Sequence, residues 1–451
     1  EIHERLVGSE MCIRDSLNYQ GDIWMDINGG AFGIISGGVT NEWNTNLQTS
    51  TLTGDTHVQL SRNATAEYVI GGNNKGASTT LTGNTNVTVK DNAIVAGAII
   101  GGSTSAHNLV TTITGNTSVL VTNVQYSNTA QNLDGGLSNS YIIGGSSWSS
   151  NTTSGTTIQG STSATINLNR ITLSGTEEHN SFVKTIIGGS YGNVNNAGTV
   201  NNINGDTSVS IIGREGITFT GDIIGGSFEN SGQALYTIGG KSSISISGGS
   251  TFTGNIYGGS YSKVPGNTGS TMTTAGNITV ELGTGTYRGN IYGAGNKGTA
   301  GGDVLVSLTG GSVFGAEGEQ SGITIGGSAG AAVEGNRTLE LKGTFGDGDF
   351  QNVTFTRFDE INIAQEGSSA TIWALTDSPS LTKTGAGTLA LGYAGNTLAH
   401  LTVEEGTLAF TGGATIGVNP NNATIVRVSE GASLAPVSYT HLRAHETLMN
   451  L

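Results

Sequence analysis

Two short phrases alternate along most of this 451-residue chain, and their recurrence limits it to a repeat architecture. One is an aliphatic pair followed by Gly-Gly and a Ser or Asn, as in "YVIGGNN", "AIIGGS", "TIIGGS" and "NIYGGS". The other is a turn followed by an alternating run, as in "LTGDTHVQL" from Leu52, "LTGNTNVTV", "INGDTSVSI" and "EGNRTLEL" ending at Leu341. The first Gly of successive aliphatic phrases falls at 37, 71, 101, 144, 188, 225, 258, 293 and 326, a period of 30 to 44 residues. The alternating phrase places Val, Ile or Leu on one face and Thr, Ser or Asn on the other, the signature of a strand with one buried face. Gly and Asn interrupt every few residues and no apolar stripe of helical period persists, so the fold is expected to be all-β.

A propeller would need four strands per blade, and variable insertions suit a solenoid better, because each coil contacts only its neighbours and loops bulge outward. The expected architecture is a stacked β-solenoid, a right-handed parallel β-helix with about two rungs per repeat. Gly-Gly is expected at tight corners, where positive φ is cheap and the next rung passes close by. Ile224 of "DIIGGS" is expected to point inward and Ser227 outward.

The two ends read differently. Residues 1–15 and 437–451 pair as antisense translations, Asp15 with Val437, Cys12 with Thr440, Met11 with His441 and so on out to Glu1 with Leu451. One DNA word therefore flanks the segment in inverted orientation, and "VGSEMCIRDS" and "VSYTHLRAHET" resemble translated sequencing-adapter sequence. Residues 1–16 and 436–451 are set aside as adapter-derived. With them goes Cys12, the only cysteine, so disulfides and zinc-thiolate sites are not expected. The chain carries a net charge of −15 with scattered Lys and Arg, which disfavours nucleic acid and anionic membranes as partners.

From residue 17 to 345 the Gly-rich repeats run without a change of style, and 346–379 is a more charged and aromatic transition. Then comes "SLTKTGAGTLALGYAGNTLAHLTVEEGTLAF", Ser380 to Phe410. It resembles the autotransporter-associated β-strand repeat, whose pattern is filled here by Leu381, Lys383, Gly385, Gly387, Leu389, Leu391, Thr402, Val403, Gly406, Thr407 and Leu408. The same style continues to residue 435. The resemblance implies a β-helical autotransporter passenger domain of a Gram-negative-type bacterium, exported across the outer membrane to the cell surface and followed by a membrane β-barrel.

The candidate chemical motifs read as repeat punctuation. Gly293 to Gly298, "GAGNKG", matches the dinucleotide fingerprint but is followed by a turn and a strand instead of a helix. Gly188 to Gly192 and Gly326 to Gly330 match a nucleophile elbow, and Gly239 to Ser242 part of a P-loop, again without the strand-to-helix context. His57, His107, His179 and His400 lie in different repeats; Glu177 to Asn180 and Asp347 with Asp349 lack the convergent ligands of a metal site. Trp24, Trp43, Trp148 and Trp373 are scattered and expected to pack over loops and ends, and Asn86-Val-Thr88 is a strand triplet before it is a glycosylation site. No catalytic, cofactor-binding or metal residue is therefore assigned. The expected function is a non-enzymatic adhesin or structural stalk that meets surface glycans or proteins through insertions such as Val121 to Ser140. The rival is a β-helical polysaccharide lyase or glycoside hydrolase, since carboxylates on successive rungs could meet without a motif.

Overall fold

The computed structural model describes residues 18–39, 50–74, 79–105, 110–123, 140–149, 155–169, 181–194, 200–232, 234–264, 271–315, 322–367, 369–392, 398–411 and 425–436. Every regular element among them is a β-strand, and every strand pairing is parallel, as a chain that winds repeatedly in one sense requires. The chain is a parallel β-helix.

One coil can be followed from Leu235. Leu235–Ile238 lies in a ten-stranded sheet, Ser242–Ser247 in a fourteen-stranded sheet, Thr251–Phe252 in a five-stranded sheet, Ile256–Tyr257 in a twelve-stranded sheet and Tyr261–Ser262 in a second five-stranded sheet. Thr271–Thr274 then begins the next coil directly on Leu235–Ile238. Each repeat is thus one coil, not the two rungs expected from the phrases. The reason is that the two phrases occupy different sheets of the same turn of the helix: "NTxVxV" strands form the fourteen-stranded sheet and "IIGG" strands the twelve-stranded one.

The alternating strands behave as their period demands. A single inward column runs through Met25, Val58, Val87, Val119, Ala164, Val209, Ile244, Val280, Val306, Leu339, Ile361, Leu381, Leu401 and Val426, one residue per strand. The isoleucine pairs obey a different rule, because both members are buried. Ile99, Ile142, Ile186 and Ile223 belong to the main core, whereas Ile100, Ile143, Ile187 and Ile224 point the other way into a second apolar layer with Tyr141, Tyr191 and Phe228. A strand covered on both faces reads as a continuous apolar run, which explains the doublet.

Stacking at the Gly-Gly corner is tight. A Cβ on Gly71 would lie 2.2 Å from the Gly101 carbonyl oxygen of the next coil, and one on Gly225 would lie 2.3 Å from that of Gly258. None of the first glycines of these phrases has a positive φ among the described residues, so close approach alone, and not a left-handed turn, excludes a side chain. The following Ser also departs from expectation: Ser227 is buried, not outward. Its Oγ accepts the Ser190 N–H at 3.1 Å, while its own N–H donates to Ser260 Oγ at 3.0 Å. Ser103, Ser146 and Ser190 continue the ladder. A buried main-chain donor at this corner would otherwise go unpaired.

An aromatic ladder fills the third corner. Phe182, Phe219, Phe252, Tyr287, Phe314 and Phe350 stack in succession with ring centroids 4.9 to 5.8 Å apart, all buried. After it the coil shortens. Leu341 pairs with Ile363 and Ile361 with Leu381, steps of about 20 residues, and Arg337 holds Asp359 through a two-pronged ion pair at the change.

These contacts set the expected response to substitution. Gly225→Ala should lower the unfolding free energy by about 1–3 kcal/mol through overpacking. Ile224→Asp should cost more than about 3 kcal/mol, as an unpaired buried charge does. Urea unfolding followed by circular dichroism measures both.

Candidate functional site

The corners between sheets are where polar chemistry could gather, and most of it is consumed in ladders. In the turn before each alternating strand, a side-chain oxygen accepts the main-chain N–H of the adjoining coil: Asp22 from Asp55, Asp55 from Asn84, Asn84 from Asn116, Asn116 from Ser161, Ser161 from Asp206 and Asp206 from Lys241. The Asn84 amide hydrogen holds the Asp55 carboxyl below its usual range. A second ladder, Asp222 to Asn255 to Asn290 to Thr324, does the same at the corner before the twelve-stranded sheet. The acids of "GDT" and "GDI" thus stand one to a turn, each bound to backbone.

Behind that turn stands the buried Thr of "GNT". The hydroxyls of Thr56, Thr85, Thr117, Thr162 and Ser242 donate to the carbonyls of Gly71, Gly101, Gly144, Gly188 and Gly258 at 2.5 to 2.6 Å, across the inside of their own coil. Each bond ties one sequence phrase to the other.

The motif residues are engaged in the same way. Gly293 and Ala294 end the strand Ile291–Ala294, and Thr299–Ala300 follows as a strand, so no helix N-terminus faces "GAGNKG". In the two elbow-like stretches, Ser190 Oγ accepts the Ser146 N–H, and Ser328 Oγ donates to the Ala331 carbonyl at 2.7 Å. Ser242 of the P-loop-like stretch is the buried donor to Gly258 just described. Asp347 accepts from Ser369 at 2.7 Å and Asp349 from the Gly346 N–H at 2.7 Å. Among the described residues no three potential metal ligands of the His, Cys, Asp and Glu types come together. His107, His179, Glu177 to Asn180, Trp43 and the Trp148 side chain lie outside the described residues, as does 124–139, the bulk of the Val121 to Ser140 insertion.

Of the remaining candidates, Trp24 is 70% exposed and stacks on His57 at 3.8 Å, with an interplanar angle of 13°. Beside this pair Gln59 Nε2 donates to Asp26 at 2.8 Å. Trp373 lies against Gly392, and His400 is exposed on the fourteen-stranded sheet.

The burial of three ionisable groups escaped the sequence reading. Lys383, in the stretch that begins at Ser380, stands in an otherwise aliphatic column between Ile363 and Val403. Its Nζ donates to the carbonyls of Thr384, Gly385 and Glu405, capping the corner; burial pushes its pKa down while Glu366 and Glu405 push it up. Glu229 accepts from the Ala234 N–H and from Ser262 Oγ, closing the passage into the next coil. Lys184 is only 2% exposed, and its Nζ reaches the carbonyls of Ala96 and Gly97 and Ser140 Oγ, clasping two preceding coils. Its signal was local: successive coils read "GDII", "GNIY" and "GNIY" where this one reads "KTII".

The segments that join the described strands recur at the same places in the coil. Segments 40–49, 75–78, 106–109, 150–154, 195–199 and 265–270 each connect the end of one coil to the ten-stranded sheet of the next, and 124–139 and 170–180 leave after the fourteen-stranded sheet in successive coils. Register stacks their departure points along the axis. Lys184 and Ser140 lie just beyond the ends of the latter two segments.

Burial lowers the Lys184 pKa to about 7 from the ordinary 10.5, so above pH 7 the folded chain holds fewer protons than the unfolded one. Stability should therefore rise with pH from this group, by about 2 kcal/mol between pH 7 and 9. Lys184→Met should flatten that rise in denaturant titrations. Above pH 10 the buried Tyr141, Tyr236, Tyr257 and Tyr287, whose pKa values burial raises, work in the opposite sense.

No family model matches the chain, and neither a curated protein nor a solved structure matches it.

Proposed function

We propose that this chain is part of a surface-exposed bacterial passenger of the autotransporter type, a non-enzymatic β-helical stalk or adhesin. Its partners are glycans or proteins of host or community surfaces, met by insertions that leave the coil, and a downstream outer-membrane β-barrel exports it. The observation that carries the reading is continuity: Ser380–Thr384 and His400–Val403, from the stretch that resembles the autotransporter-associated repeat, extend the same fourteen-stranded sheet as the Gly-rich coils. One continuous sheet spans both styles of repeat. The insertions support the reading too, since their departure points line the rod. Carboxylates such as Asp55, Asp206 and Asp222 are each committed to a corner ladder through the main-chain N–H of the adjoining coil, an arrangement suited to stacking, whereas hydrolysis asks for two acids across one cleft.

Incubation of the chain with mucin and with plant and bacterial polysaccharides tests this, with reducing-end, unsaturated-product and surface-binding assays run together. Saturable binding without bond cleavage is expected, weakened by deletion of 121–140 or another insertion. Cleavage above a heat-killed control, abolished by a single Asp or Glu substitution, would replace the adhesin by an enzyme.

A further inference from the structure

On the inward face of the ten-stranded sheet one buried column is polar. Thr79, Thr111, Thr156 and Asn201 follow one another in register on four successive coils, and none is more than 4% exposed. The Thr79 hydroxyl is paired, because Asn73 Nδ2 donates to it at 2.7 Å. The hydroxyls of Thr111 and Thr156 and the Nδ2 of Asn201 have no partner among the described residues. Polar groups buried in this way are costly unless something bonds to them.

The cause of the difference lies at the Gly-Gly corner. Asn73 follows Gly71 and Gly72, and its Oδ1 takes the part of a ladder oxygen by accepting the Val39 N–H at 2.7 Å, which leaves Nδ2 for Thr79. In the next three coils Ser103, Ser146 and Ser190 hold that place, and each offers one oxygen that already accepts an N–H of the coil before. Nothing in a serine corresponds to the amide nitrogen. Further on, Tyr236 and Met272 continue the column and end its run of small polar side chains.

Coil spacing then decides what can pair these groups. Side chains stacked in register stand about 4.8 Å apart, too far for one hydroxyl to bond the next, whereas a water about 2.8 Å from each spans the distance. The chemistry also asks for water. The Asn201 amide is held one way round, since its Oδ1 accepts the Thr156 N–H at 3.1 Å, so its Nδ2 can only donate and a metal cation could not satisfy it. A threonine hydroxyl both donates and accepts, as water does. We infer that the β-helix binds a file of internal water molecules along this column, one bridging Thr111 to Thr156 and one bridging Thr156 to Asn201, as fixed parts of the stack.

Oxygen-17 magnetic relaxation dispersion on the full chain tests this, because its amplitude counts waters held for longer than the protein takes to tumble. Thr156→Val removes the group common to both bridges and should lower the amplitude. Ser146→Asn should give Thr156 the amide that Thr79 has, and lower it too. Asn73→Ser keeps the ladder oxygen but withdraws the amide from Thr79, and should raise it. Thr157→Val, next along the strand on the outward face, should leave it unchanged. If Thr156→Val loses its far-UV spectrum, the opposite shifts expected of Ser146→Asn and Asn73→Ser carry the test. An amplitude that stays the same in those two folded variants overturns the inference. So does a crystal structure in which the Thr111 and Thr156 hydroxyls bond to protein atoms, or in which a cation stands at the bridging positions.

Discussion

The contact on which everything else rests is the approach of one Gly-Gly corner to the next. With 2.2 Å between a would-be Cβ of Gly71 and the Gly101 oxygen, the coils close only because no side chain intervenes. That closeness creates a need, because carbonyls packed so deeply must find donors. The buried Thr hydroxyls answer it from across the coil, and the Ser ladder pairs the next main-chain N–H. In the coils of Thr56, Thr85, Thr117 and Thr162 the co-occurrence of the two phrases thus has a physical cause: the hydroxyl of one phrase meets the glycine carbonyl of the other.

From that corner the division of labour among the sheets follows. The fourteen-stranded sheet needs only alternation, so it survives the change from long coils to short ones without a break. The other sheets depend on local devices that do not carry over. The aromatic ladder closes on Phe350 and Phe355, and the Gly-Gly corner ends with Gly326 and Gly327. Lys383 then donates to the carbonyls of a different corner, at the end of the fourteen-stranded sheet, as the Thr hydroxyls donate to the glycine carbonyls in the longer coils.

Legibility in the sequence tracked the range of the interaction. Val87 and Val89 announce an inward face by spacing alone, and the parallel stacking of "IIGGS" phrases follows from their recurrence. The second burial of Ile224 left a trace that went unread: an aromatic residue follows the aliphatic pair at a fixed spacing in "IIGGSY", "IIGGSF" and "IYGGSY", and Phe228 of its own coil and Tyr191 of the coil before share its apolar layer. The count of rungs was misjudged because two phrases that look like two layers turn a corner instead. The aromatic ladder did leave a trace in "ITFTGD", "STFTGN" and "TYRGN", where an aromatic residue recurs just before the turn. Lys184 announced itself only as an exception to its neighbours, and an exception is recognisable only after the rule is known. Of the candidate sites, the local commitments of Ser190, Ser242 and Asp347 could not be read, since each partner lies in an adjoining segment brought near by winding.

The orientation of the hydrogen bonds between coils has a mechanical consequence. In a parallel β-helix these bonds run along the axis, so tension applied at the two ends falls on one coil-to-coil junction at a time. The rod would peel from an end, not shear all its strands together, and the force it withstands would be set by its weakest junction whatever its length. Adding coils would then extend its reach without strengthening it. Devices that cross more than one junction become the reinforcing ties, and Lys184, anchored on Ser140 one coil away and on Gly97 two coils away, is one of them.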